Sequence, residues 1–172
     1  MIKKIKSAGQ VFLFTIVLPF FISHTLLAQE IRWVDDIVAD SLQDGVTFKL
    51  CNTEAQIIQY FNNGKGAEYL GGKPAIDSLF FTSYHKVHTD ISGMIRIRFV
   101  VNCLGETGRF RLLSADSNYQ PVVFPDAVNS QLMQITKSMN GWQTKLWKDV
   151  KIDYYQNLIF RIEQGQLTNI IV

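Results

Sequence analysis

The sequence predicts a small α+β domain: an antiparallel β-sheet of three to four main strands with two α-helices packed on one face. Three observations lead there. Residues 93–115 hold two alternating apolar runs around a loop marked by Gly105 and Gly108, the pattern of a β-hairpin. Two apolar stripes at helical spacing, one before the hairpin and one after it, predict helices. Alternation then returns near the C-terminus, and strands in runs with segregated helices make an α+β domain.

Residues 1–28 are set aside first. Lys3, Lys4 and Lys6 precede a twelve-residue apolar run at 11–22, and Ala28 offers a small residue for cleavage before Gln29. This is the pattern of a secretory signal peptide. An uncleaved anchor over 11–27 is the alternative, at the short end of what spans a bilayer. Residues 29–66 then read as an N-terminal extension packed on or leading into the domain proper at 67–172. Within the extension, Val46, Phe48 and Leu50 alternate and predict a short strand ending at Cys51. Residues 53–62 fit a helix or a strand equally, and 62–66 (Asn-Asn-Gly-Lys-Gly) form a loop.

The domain's elements follow in order. Pro74 suits the first turn of a helix, and Ala75, Ile76, Leu79 and Phe80 give it a core-facing stripe. In the hairpin, Ile95, Ile97 and Phe99 alternate with Arg96 and Arg98, then Phe110 and Leu112 with Arg109 and Arg111. Pro121 and Pro125 mark a loop over 116–125. Asp126 opens the second helix, Val128, Leu132, Ile135 and Met139 form its stripe, and Gly141 is placed to cap it. Residues 154–162 predict a third strand with Leu158, Phe160 and Ile162 to one side. A turn at Gln164-Gly165 lets 167–172 run back as a fourth.

An even cysteine count in an exported chain predicts a disulfide between Cys51 and Cys103, with free buried thiols as the alternative. All 15 acidic residues but only 14 of the 17 basic ones lie in 29–172, a formal charge of −1. That balance gives no support to a nucleic-acid partner.

Residues 67–73 (Ala-Glu-Tyr-Leu-Gly-Gly-Lys) before the first helix, the hairpin strand opening at Gly93, the helix end Lys137-Ser138-Met139-Asn140-Gly141-Trp142 and the closing strand around Phe160 together resemble the TonB C-terminal domains of Bacteroidetes-type proteins. The resemblance covers about 67–172. It implies a periplasmic protein-binding domain that takes a short peptide of an outer-membrane transporter by strand pairing. The strand matched here is 154–162, with Tyr154, Leu158 and Phe160 as candidate partner-binding residues. Force transduction is not implied, because the four prolines (Pro19, Pro74, Pro121, Pro125) build no Pro-rich linker. The tail at 167–172 is expected to cover the edge that a guest peptide would take.

The expected function is therefore that of an exported, non-enzymatic protein-binding module, accessory to TonB-dependent transport. Its partner would be a TonB-dependent outer-membrane receptor or another periplasmic protein. A membrane partner enters only if the signal segment is retained. The alternatives are an anchored minimal transducer and an exported hydrolase. Catalytic chemistry has little to stand on: His85 and His88 lack further ligands, Gly64-x-Gly66 follows no clear strand, and Ser92 and Ser114 lack a nucleophile-elbow context. No cofactor or metal is expected, Asp35, Asp36 and Asp40 read as a solvated segment, and Trp142 reads as a core plug. One charge pattern stands out. If the apolar hairpin residues face the helices, Arg96, Arg98, Arg109 and Arg111 share the opposite face, and Arg161 joins them. This face would meet either solvent and scattered acids or an acidic protein segment.

Overall fold

Two glycines and a proline start the first helix. Gly71, at φ +82°, caps α1 (Gly72–Ser83), and Pro74 sits in its first turn, where a missing N–H loses nothing. Ile76 and Phe80, one turn apart, are fully buried. The computed structural model describes residues 36–59 and 68–172. The expected signal peptide at 1–28, the expected loop at 62–66 and the end of the ambiguous 53–62 segment lie outside the described residues.

The hairpin forms as β1 (Gly93–Val101) and β2 (Thr107–Ala115), followed by α2 (Asp126–Ser138). The chain continues through β3 (Lys145–Trp147), β4 (Val150–Ile152), β5 (Tyr154–Glu163) and β6 (Gln166–Ile171). The main sheet is antiparallel throughout, in the order β2-β1-β5-β6, with β3 and β4 forming a separate two-stranded sheet. Ile95 pairs with Phe160, and Ile97 with Leu158 and Leu112. These side chains pack with Ile76 and Phe80 of α1 and with Val128 and Leu132 of α2 in one core. Burying each large apolar side chain there stabilises the fold by about 1.5–3 kcal/mol.

Hairpin turn chemistry fixes the last two strands. Gln164 and Gly165 both have positive φ between β5 and β6. A Cβ at Gly165 would lie 1.8 Å from the Val87 carbonyl oxygen, so only glycine lets the 84–92 connection cross the turn.

Two local expectations are corrected, and one element is additional. Residues 46–50 are not a strand: Val46 sits in an exposed turn, and the carbonyl of Lys49 accepts from the Asn102 side chain rather than from a ladder. Gly141 does not cap α2. The helix ends at Met139 in an extended conformation, and Gly141 instead makes room for Tyr69, whose ring a Cβ would meet at 2.9 Å. The β3–β4 hairpin was not expected, because Leu146-Trp147-Lys148-Asp149-Val150 shows no clear alternation and its turn residues, Lys148 and Asp149, carry positive φ without glycine.

Candidate partner-binding surface

Pleating divides the sheet's side chains into two sets. Ile95, Ile97 and Phe99 face the helices, which leaves Arg96 and Arg98 on the other face. Arg98 stands directly opposite Arg111, a like-charge pair that is destabilising unless compensated. A bulge follows, with Arg109 and Phe110 both set against Phe99. Phe110 stacks on Phe99 at 5.2 Å, while Arg109 takes φ +57° and reaches outward.

Compensation comes from the N-terminal extension, which crosses this face as a strap. Arg111 grips Asp44 through two bonds of 2.7 and 3.1 Å and also donates to the Val38 carbonyl. Arg109 grips Glu54 with bonds of 2.9 and 2.7 Å. Arg98 donates to Gln59, which donates to Asp36, and its guanidinium lies 4.4 Å above the Tyr155 ring. Paired bonds of this fork geometry are the strong class of ionic contact. The Arg111 bond holds the Asp44 carboxyl below the usual carboxylate range, and the Glu54 bond raises Arg109 above its ordinary value. Apolar anchors complete the strap: Ile37 and Ile57 pack on Val100 and Tyr155, with Phe48 and Leu50 against them. Burial raises the Tyr155 phenol, whose oxygen accepts from the Ile37 amide. Phe48 fits because Gly108 has no side chain, since a Cβ there would fall 2.1 Å from the ring.

The strap is also tied covalently. Cys51 and Cys103 form a disulfide with Cα atoms 5.9 Å apart, within the reach such a bond needs. Beside it Asp153, fully buried, accepts from the backbone amides of Cys51 (3.0 Å), Asn52 (2.8 Å) and Cys103 (3.0 Å). One carboxylate thus joins strap, hairpin loop and β5. The bond fits an oxidising, exported environment. Among the described residues, no helix is long and apolar enough to cross a membrane.

The candidate residues on β5 lie elsewhere. Tyr154, Leu158 and Phe160 are fully buried in the helix-facing core; the Tyr154 hydroxyl donates to the Gln143 carbonyl, and Phe160 lies 4.7 Å from Phe80. A partner could reach this strand only through its backbone. That edge is occupied: β6 pairs with residues 159–163, and Ile58 bridges in parallel to the other end, donating to the Asp153 carbonyl and accepting from the Tyr155 amide. The tail therefore folds back onto β5 as the turn sequence implied.

Of the sequence-selected residues, the structure brings Arg98, Arg109 and Arg111 together under the strap, leaves Arg96 half-buried beside them, and exposes Arg161. His85 and His88 are exposed, and Ser92 and Ser114 are engaged by the Gln164 amide and the Val122 carbonyl. Sequence reasoning missed Asp44, Glu54 and Gln59 as the partners of the arginines. The available signal was that the basic hairpin face and the acid-bearing extension share one chain. It also missed a shallow groove between α2 and β2, with a volume of about 350 Å³, lined by Leu112, Asn129, Ser130, Met133, Gln134 and Lys137. No protein-family model matches the chain, and no curated protein or solved structure matches it significantly.

Proposed function

We propose that this chain is an exported, non-enzymatic protein-binding module of TonB C-terminal-like design, accessory to TonB-dependent transport across the outer membrane. The observation that carries the reading is the order of elements on the sheet. A helix, a hairpin, a second helix and a long strand build two helices onto one face of an antiparallel sheet. That is the arrangement the sequence resemblance implies. The leader-like pattern at 1–28 and the disulfide support a periplasmic or secreted location. The partner class is a TonB-dependent outer-membrane receptor or another periplasmic protein, and nucleic acid is outside it. Binding of this kind uses main-chain pairing for affinity and side-chain pockets for specificity.

The test is chemical crosslinking in the native cell envelope, with the captured species identified by mass spectrometry. Receptors of TonB-dependent uptake are expected among the crosslinked proteins. A protein that crosslinks to no envelope protein, or whose intact mass still includes residues 1–28, contradicts the proposal.

A further inference from the structure

We infer that the groove between β2 and α2 is a docking site for an extended peptide of alternating apolar and acidic residues, taken by strand addition to the outer edge of β2. The inference rests on the protein-binding reading and names a site for it other than the occupied edge of β5.

The argument begins with the ladder. In an antiparallel sheet, alternate residues of an edge strand point their N–H and C=O groups outward. The Val122 amide donates to the Ser114 carbonyl from outside the sheet, which fixes the outward set on β2 as Leu112 and Ser114. Ser114 is taken by the 121–122 segment, and the Phe110 carbonyl accepts from its own neighbour Arg111. The N–H and C=O of Leu112 remain directed outward. This edge already accepts one short extended segment, since Pro121 pairs with Ala115.

The groove supplies the rest. Ser130, Met133, Gln134 and Lys137 recur every three to four residues along α2, a line that runs beside β2. The helix starts near the Ser114 end, where Val122 and Phe124 lead into it, and finishes with Lys137 lying 5.5 Å over the Phe110 ring. A guest strand paired with Leu112 would drop every second side chain between Leu112 and Met133, both partly buried members of the core's rim. Lys137 forms no ion pair among the described residues and stands at the Phe110 end of the groove. An acidic side chain on the guest complements it, while the arginines around the corner are held by the strap.

The probe is a capped heptapeptide alternating valine and glutamate, added to isotope-labelled mature protein with the disulfide intact. Hydrogen exchange at the Leu112 amide should slow at least about tenfold at saturation. Lys137→Glu should weaken binding by roughly five- to tenfold while the thermal midpoint stays nearly constant. A peptide N-methylated at alternate positions, which cannot pair, should not bind. Binding that leaves Leu112 unprotected, or that survives N-methylation, overturns the inference. Protection of Leu112 that grows with protein concentration alone would assign the edge to a second copy and also overturn it. If envelope receptors crosslink but Leu112 never responds, the site fails while the protein-binding reading stands.

Discussion

Replacing Asp153 by asparagine probes the joint between strap and sheet. The carboxylate accepts three backbone amides, two from the strap and one from the hairpin loop, at 2.8–3.0 Å, and it is fully buried. Asparagine has one acceptor oxygen and a donor group in place of the other. Whichever way the amide turns, at least one backbone N–H faces another donor, and a buried unsatisfied donor costs about 1–3 kcal/mol. With the charge-assisted character lost as well, Asp153→Asn should destabilise the protein by about 2–4 kcal/mol. In a Cys51→Ala/Cys103→Ala background the strap is free to lift and hydrate the orphaned amides. The penalty of Asp153→Asn there should shrink, leaving a coupling of about 1–2 kcal/mol. Urea unfolding of the four proteins, followed by tryptophan fluorescence, gives the cycle. A penalty below about 0.5 kcal/mol, or the same penalty in both backgrounds, would refute the claim that carboxylate and disulfide act on one joint.

Removing the disulfide alone should lower stability by about 4 kcal/mol, from the chain entropy of its 52-residue separation, read as the shift in urea midpoint. Gly108→Val should expel the Phe48 ring at roughly 1–3 kcal/mol, visible as lost contacts to Phe48 in NMR spectra. Asp44 is held below its ordinary pKa by Arg111, so its contribution is complete above the unfolded value near 4 and disappears as pH falls through the lower folded value. Asp44→Asn should therefore flatten the acid limb of the stability curve and leave its neutral-pH slope unchanged. Deleting residues 166–172 should strengthen binding of the short transporter peptide that the resemblance implies, because it uncovers β5. Equal affinity in both forms would discard the covered-edge idea, and a circular dichroism melt guards against misfolding after loss of the buried Leu167 and Ile170.

The fold was legible where one periodicity ran long enough to dominate. Alternation over Ile95, Ile97 and Phe99 and the stripe Val128-Leu132-Ile135-Met139 each name a buried face, and the structure buries all of these side chains. Legibility failed where tertiary partners replace the ladder. Phe48 and Leu50 alternate like a strand, yet they anchor into a side-chain cluster and pair with no neighbour. The β3–β4 hairpin keeps Leu146, Trp147 and Val150 more than half exposed, so it has no inward face for a pattern to report. The candidate surface was half visible. The arginines stood out because like charges on one sheet face need an explanation, but the acids that answer them lie 55 to 67 residues away in sequence and carry no local mark.

The place of β5 in the sheet bears on how the chain can reach its folded state. This strand joins β1, β6 and Ile58, yet it occupies residues 154–163 of 172. Until it is made, β1 has a partner on only one side, and a lone hairpin is marginal in water. Asp153 is equally late, so the disulfide's cysteines, Cys51 and Cys103, emerge 102 and 50 residues before the carboxylate that buttresses them. The main sheet therefore closes around one long-range pairing, that of β5 with β1.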